Sequence, residues 1–194
     1  MRANEFYREF CAMFSDSKFL NTARECWRNR ADFTNIIIPR ISKILEGVGF
    51  SHRHQYEYYK IDLIGWQDLK QKAPVPPKIK GYRIKEHFWQ LGVAVEHEND
   101  QTDWTDELVK LMYVNCPLRV VIGYIPEGLK REERAEVLAY ASRVVTELNM
   151  GHITDGQEYM LILGENHAEP DKLSADTYQA YVYNLRLREF EQLF

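Results

Sequence analysis

The chain has 194 residues, of which 45% are hydrophobic and 28% are charged, a composition expected of a single compact domain spanning residues 1–194. Its formal net charge of −4 argues against a protein that coats nucleic acid non-specifically, but permits a local basic patch. Widely spaced cysteines without a CxxC pair argue against a disulfide framework, and the chain lacks any apolar run typical of signal peptides or membrane spans, so we expect a cytoplasmic protein.

Two helices are predicted between residues 16 and 48. In the segment 16–30 apolar residues recur at helical spacing, and Ser15 or Asp16 is available as the N-cap. The second helix presents isoleucine and leucine side chains on one face and ends at a pair of glycines. Glu46 lies at its C-terminal end, where the helix dipole disfavours an anion, so one interpretation is a solvated acid of the last turn.

Two regions of strand are predicted between residues 50 and 98. The segment 50–65 is rich in aromatic and β-branched residues and alternates in polarity, which indicates a strand, or a hairpin that ends in one, with Asp62 at the strand's end. The segment 88–98 has a period of two. This period predicts Leu91, Val93 and Val95 on one face of the strand and Gly92, Ala94, Glu96 and Glu98 on the other.

The second half of the chain alternates helices and strands. Residues 103–114 have the pattern of a helix with acids at its N-terminus. Residues 118–125 are apolar at almost every position, which is typical of a central strand covered on both faces. A helix over 129–148 and strands in 159–165 and 178–185 complete the pattern. The order of elements predicts an α/β fold, a three-layer sandwich around a central mixed β-sheet.

Acidic side chains collect at the ends of the two predicted middle strands. Asp62 ends one, and Glu96 and Glu98 point the same way at the end of the next. If these strands are neighbours, the three carboxylates converge and repel each other unless a cation or a proton lies between them. Oxygen ligands without a nearby cysteine favour Mg²⁺ or Mn²⁺. Solvated acids at the strand ends are the alternative, and by strand parity His97 faces away as a packing or surface histidine.

This arrangement resembles the PD-(D/E)XK, or restriction-endonuclease-like, nuclease superfamily. The resemblance depends on Glu46 in the first core helix, Asp62 in the motif KIDL and the run Glu96-His97-Glu98, placed in the order αβββαβ. It covers about residues 35–125 and leaves an αββ extension over 126–194 outside. It implies a restriction-endonuclease-like core and a Mg²⁺- or Mn²⁺-dependent nuclease. Such an enzyme hydrolyses phosphodiester bonds of nucleic acid, here DNA, and leaves a 5′-phosphate.

The resemblance also implies a role for each acid. Asp62 and Glu96 bind the metal directly, with the backbone carbonyl of residue 97 as a further ligand. Glu98 completes a second metal site or acts through a bound water, and Glu46 orients the attacking water. Many members of the superfamily dimerise to cut two strands, so a homodimer is one expectation for this chain.

One position departs from the superfamily pattern. A lysine is usual where this sequence has Glu98, although a glutamate occurs there in some restriction enzymes. Two lysines are candidate replacements: Lys60, which strand parity places on the same face as Asp62, and Lys110, on the helix after the third strand. If neither reaches the acids, two alternatives are open. The more acidic cluster favours a second metal ion, or the protein is a catalytically inactive nuclease-fold module that binds nucleic acid or a protein partner.

A basic segment connects the second and third predicted strands. It contains six basic residues and no acid, namely Lys70, Lys72, Lys78, Lys80, Arg83 and Lys85. Its prolines stiffen the chain and Tyr82 offers a stacking surface, so the segment is expected to hold a nucleic-acid backbone beside the carboxylates. A solvated loop is the alternative interpretation.

Overall fold

The computed structural model describes residues 1–53, 60–68, 89–149, 153–167 and 169–194. Its α-helices within these ranges are α1 (Ala3–Met13), α2 (Ser17–Cys26), α3 (Arg30–Gly47), α4 (Trp104–Met112) and α5 (Arg131–Leu148). Its strands are β1 (Ser51–Arg53), β2 (Leu63–Asp68), β3 (Trp89–His97), β4 (Leu118–Pro126), β5 (Glu158–Asn166), β6 (Tyr178–Asn184) and β7 (Glu189–Gln192).

The described strands form one mixed sheet in which sequence order is also spatial order, from β1 to β7. Strands β3, β4 and β5 are parallel, because α4 and α5 return the chain to the same end of the sheet after β3 and β4. The outer strands pair antiparallel. The expected pairing of β3 with β2, and its parallel pairing with β4, are confirmed. The apolar segment 118–125 is the central strand, as predicted.

Helices cover both faces of the sheet, so the predicted α/β arrangement in three layers is observed. On one face, here called the α3 face, α1, α2 and α3 bury side chains such as Phe33 and Ile37 against Val95 and Val120. On the other, the α4 face, α4 and α5 pack over the sheet. None of the described helices combines the length and apolar character that crossing a lipid bilayer requires.

The first helix and the last strand were not predicted. The buried residues of α1, which are Ala3, Phe6, Phe10 and Met13, recur every three or four positions, so the amphipathic signal was present in the sequence. Strand β7 has only Phe190 buried. A strand this short, with one apolar side chain, has little pattern of its own and depends on its pairing with β6.

A β-bulge in β3 changes which of its side chains share a face of the sheet, so part of the prediction for this strand is wrong. Gly65 pairs with Val93 and Trp66 with Leu91, so Gly92 is an extra residue in the ladder. Leu91 therefore packs on the α4 face, while Val93 and Val95 pack on the α3 face. A side chain at Gly92 would start 2.1 Å from the Phe50 ring, which explains the glycine there.

Candidate functional site

Asp62 and Glu96 meet where the start of β2 lies beside the end of β3. The prediction that Asp62 ends a strand is wrong, because β2 begins one residue later at Leu63. The two strands are antiparallel and pair Leu63 with Val95, which places the start of β2 at the carboxyl end of β3. The backbone N–H of Asp62 donates to Glu96 Oε2 at 3.3 Å, and the N–H of His97 donates to Asp62 Oδ2 at 2.9 Å. The expected proximity of the two acids is therefore observed.

Lys110 of α4 is the cation that contacts Glu96. Its Nζ lies 2.8 Å from Glu96 Oε1 and is also in direct contact with the Glu107 carboxylate one turn earlier. The same ammonium donates to the backbone oxygen of Lys60 at 2.7 Å. Only 1% of the Glu96 surface is exposed. A buried carboxylate is thus compensated by a lysine that the loop before β2 helps to hold.

Burial sets the protonation of this cluster. It raises the pKa of Glu96 to about 8, although the hydrogen bond from Lys110 acts in the opposite direction, and the negative charge of Asp62 adds to the increase. Burial also raises the pKa of Glu107. For Lys110, burial acts to lower the pKa, but the hydrogen bonds with Glu107 and Glu96 outweigh it and raise the pKa. Both carboxyl groups of the cluster therefore keep a proton to higher pH than an exposed carboxyl does.

Of the two candidate lysines, Lys110 contacts Glu96, and the side chain of Lys60 is exposed to solvent. Lys60 was placed beside Asp62 by strand parity, but it lies in a turn and has a φ of 62°. This left-handed backbone conformation breaks the alternation of a strand, so the parity argument does not apply. Lys60 contributes its backbone carbonyl instead.

Glu98 does not join Glu96 in the structure, although Glu96 is close to the end of β3 and Glu98 directly follows the strand. Its Oε1 accepts a hydrogen bond from the N–H of Asp100 at 2.7 Å, so the side chain stabilises the turn after β3. Its negative charge is one cause of the raised pKa of Glu107, which places it within electrostatic reach of the cluster. A second metal site formed by Glu98 stays a prediction.

Glu46 lies far from Asp62 and Glu96. It is exposed in the last turn of α3, on the α3 face of the sheet, whereas Glu96 meets Lys110 on the α4 face. Near the opposite end of α3, Thr34 contacts His97. Glu46 lies roughly three turns, or about 18 Å, further along that helix. The structure therefore does not bring Glu46 to the carboxylates, and its expected role with the attacking water is not supported.

His97 points to the α3 face, as strand parity predicted, and packs in the core. It is 5% exposed. Its Nδ1 lies 3.0 Å from Thr34 Oγ1 and its Nε2 lies 3.0 Å from the Tyr124 hydroxyl, which in turn lies 3.1 Å from the Tyr178 hydroxyl. Burial lowers the pKa of His97 to about 3. The prediction of a packing histidine is confirmed.

The depressed pKa of His97 predicts a loss of stability in mild acid. The unfolded chain takes up a proton at this side chain below its ordinary pKa of 6.5, while the native ring stays neutral down to about pH 3. The free energy of unfolding should therefore fall as pH decreases from 6.5, with a contribution of about 2 kcal/mol at pH 5. Urea unfolding at pH 7.5, 6 and 5 measures this loss. His97→Gln should be less stable at pH 7.5 but show a shallower decline, and an equal decline in both proteins would contradict the assignment.

Two further expectations concern metal and nucleic acid. Among the described residues, no group of three or more His, Cys, Asp and Glu side chains is arranged to hold a metal ion. The basic segment lies within residues 69–88, outside the described ranges. Its six predicted nucleic-acid-binding residues, Lys70, Lys72, Lys78, Lys80, Arg83 and Lys85, therefore stay a prediction from sequence.

Comparison of the chain with models of protein families gives no match, and no curated protein matches it at a significant level.

Proposed function

We propose that the protein is a metal-dependent nuclease that hydrolyses phosphodiester bonds of nucleic acid, with DNA as the expected substrate. The observation that supports this most is the meeting of Asp62, Glu96 and Lys110 at the paired ends of β2 and β3. Two carboxylates beside a lysine form the set of side chains that the superfamily resemblance requires. Here the lysine comes from α4 rather than from position 98.

The order of elements adds support for a restriction-endonuclease-like core. From α3 to β4 the chain runs α-β-β-β-α-β, with β2 and β3 antiparallel and β3 and β4 parallel. The acids lie on the two strands at the middle of this unit, and α4 supplies the lysine. Fold alone does not establish activity, so the proposal depends on the acids and the lysine.

The donor set suits a magnesium ion. Mg²⁺ in proteins is usually held by one or two carboxylates and keeps several waters, so a cage of three or more protein side chains is not required. Asp62 and Glu96 would hold the ion, with the backbone carbonyl of residue 97 as a further ligand. When bound, Mg²⁺ lowers the pKa of a coordinated water and neutralises charge on the phosphate.

The protein's own groups prepare this chemistry. The N–H of His97 donates to Asp62 Oδ2 at 2.9 Å and so orients that carboxylate at the end of the sheet. The Lys110 ammonium, held by Glu96, Glu107 and the carbonyl of Lys60, supplies a positive charge and hydrogen-bond donors for a phosphate oxygen. The low accessibility of Glu96 limits competition from bulk water.

A second candidate function is a nuclease-fold module without catalysis that binds nucleic acid or a protein partner. The observation that favours it is the charge balance of the cluster, because Lys110 already compensates Glu96 and Glu107. In such a protein the ion pair would serve stability alone. Binding of a divalent ion separates the two functions.

Titration calorimetry with Mn²⁺ tests the proposal. The wild type is expected to bind Mn²⁺, and Asp62→Asn should weaken this binding by at least about tenfold, because one of two charged ligands is lost. Asp103→Asn is the matched control, since Asp103 is an exposed acid before α4, and it should bind like the wild type. Wild-type protein that binds no Mn²⁺ and cleaves neither single- nor double-stranded DNA would favour the inactive module.

A further inference from the structure

A second site lies at the same end of the sheet as the acids but on the α3 face. It is a cavity of about 290 Å³. The residues that line it are Trp27, Arg28, Arg30, Phe33, Asn99, Tyr124, Asn166 and His167. Several of them follow or end the parallel strands β3, β4 and β5, and ligands of open α/β sheets commonly bind beyond the carboxyl ends of such strands. None of these residues belongs to the proposed nuclease site.

Aromatic rings form one wall of the cavity. The Trp27 ring packs edge-to-face with Phe33 at 4.8 Å between centroids and with Tyr124 at 5.6 Å. Its indole N–H donates to the backbone oxygen of His167 at 2.8 Å, which fixes the orientation of the ring. Phe33 and Tyr124 are buried, and Trp27 is half-buried. The wall therefore offers a rigid apolar surface for a flat ligand.

Two polar side chains of the wall, the half-buried Asn99 and the buried His167, have unused hydrogen-bonding capacity. Asn99 donates from Nδ2 to the backbone oxygen of Arg30 at 2.6 Å and to Thr34 Oγ1 at 2.7 Å. Because a carbonyl oxygen can only accept, these bonds fix the orientation of the amide. Its Oδ1 is then a buried acceptor without a hydrogen-bond partner among the described residues. Such atoms are rare in native proteins and call for a ligand or a water.

His167 is the second of these groups. It is 7% exposed, and neither ring nitrogen forms a hydrogen bond of acceptable geometry within the described part of the chain. Nδ1 lies 3.2 Å from Glu127 Oε1 and Nε2 lies 3.8 Å from Glu165 Oε2. The imidazole is thus held near two carboxylates but retains hydrogen-bonding capacity toward the cavity that it lines.

The rim of the cavity is positively charged. Arg28 and Arg30 contribute to its lining, and the Arg30 side chain is 60% exposed while paired with Asp100. Guanidinium groups bind phosphate through paired, charge-assisted hydrogen bonds. The cavity thus combines an aromatic wall, a buried acceptor, a buried imidazole and cationic side chains.

We propose that this cavity binds one unpaired nucleotide of a nucleic-acid strand. The base lies against Trp27, donates a hydrogen bond from an amino or imino group to Asn99 Oδ1 and pairs with a ring nitrogen of His167, and its phosphate meets the arginines. A bare phosphate or an aliphatic ligand would leave Asn99 Oδ1 unsatisfied. Because the inference names the substrate class of the proposed nuclease, it rests on that proposed function.

The position relative to the acids supports a strand rather than a free nucleotide. Asn99 follows Glu96 by three positions, so their Cα atoms are at most about 11 Å apart. Because the cavity and the acids lie on opposite faces at the same end of the sheet, a strand with one base in the cavity would have to cross this end of the sheet to bring a neighbouring phosphodiester toward Asp62 and Glu96. The proposed nuclease would accordingly act on single-stranded or locally unpaired nucleic acid.

Fluorescence anisotropy with a labelled single-stranded 12-mer DNA, the matching duplex and EDTA in the buffer tests this inference without cleavage. We expect the wild type to bind the single strand more tightly than the duplex. His167→Phe removes both ring nitrogens that meet the base, and Arg30→Gln removes a charge that meets the phosphate at the exposed rim. Each should weaken single-strand binding by at least about fivefold. Arg143→Gln, an exposed arginine on α5, is the matched control and should bind like the wild type.

Three outcomes would overturn the inference. The first is equal affinity of the wild type and both variants for the single strand. The second is tighter binding of the duplex. The third is binding of a nucleoside 5′-monophosphate that depends on Arg30 and His167 but does not displace the 12-mer, which would assign the cavity to free nucleotides. Because no metal or cleavage enters the measurement, single-strand binding that depends on Arg30 would survive a failure of the nuclease proposal.

Discussion

Replacing Glu96 by glutamine should lower Mg²⁺- or Mn²⁺-dependent cleavage by more than about 100-fold, a loss of about 2.7 kcal/mol in transition-state stabilisation. Glutamine keeps the volume of the side chain and can still accept a hydrogen bond from Lys110, but it cannot supply the charge that holds the metal. Cleavage of labelled DNA under single-turnover conditions measures the effect.

The stability of this variant separates a lost ligand from a lost fold. Glu96 is 1% exposed and close to Asp62, so removing its ionisable group should leave the metal-free protein as stable as the wild type or slightly more stable. Asp103→Asn is the matched control, because Asp103 is an exposed acid before α4 with no proposed role in the site, and it should retain the activity of the wild type. Wild-type activity in a folded Glu96→Gln protein would exclude Glu96 as a ligand.

Replacing Lys110 by methionine should destabilise the protein and also reduce cleavage. The change leaves Glu96 and Glu107 without their shared cation and removes a hydrogen bond to the carbonyl of Lys60. We expect a loss of about 2 kcal/mol at neutral pH. This is less than the ~3–5 kcal/mol typical of an unrelieved buried charge, because Glu96 takes up a proton instead.

The loss should grow as pH rises. A carboxyl whose pKa is raised on folding stabilises the native state in its protonated form. For Glu96 this contribution to the free energy of unfolding declines as pH rises above the unfolded pKa of 4.5, and it is lost once pH passes the native pKa, about 8 in the wild type. Without Lys110 the native pKa of Glu96 should be higher still. Urea unfolding of wild type and Lys110→Met at pH 6 and pH 9 measures the difference.

Two further variants complete this experiment. Lys110→Arg preserves the charge and should keep most of the stability. Adding Glu96→Gln to Lys110→Met should recover part of the loss, because the buried carboxylate is then absent. A Lys110→Met protein as stable as the wild type at both pH values would show that the ion pair contributes nothing to folding.

The sheet and its helices were largely predictable from local pattern. The continuous apolar run of β4 indicated a strand buried on both faces, and the helix between β3 and β4 implied their parallel pairing. Parity along β3 placed Glu96 and His97 on opposite faces, and the structure agrees. These properties follow from short-range periodicity and from the handedness of chain connections. Both are determined by residues that are close together in the sequence.

Predicting side-chain direction from strand alternation failed where the backbone departs from regular strand geometry. The bulge at Gly92 moved Leu91 to the α4 face, and the left-handed turn at Lys60 removed its side chain from the site. Asp62 reached Glu96 from the start of β2 rather than the end of a strand. Each depends on how two strands align, and pairing register is a property of both partners.

The sequence by itself therefore determined the α/β class, the central strand, and the expectation, met in the structure, that Asp62 and Glu96 lie close together. Only the tertiary structure decided that Lys110 contacts Glu96, that Glu46 lies away from both, and that Asn99 and His167 line one cavity. The physical reason is distance along the chain. Contacts between residues far apart in sequence depend on the packing of helices onto the sheet, which no local periodicity encodes.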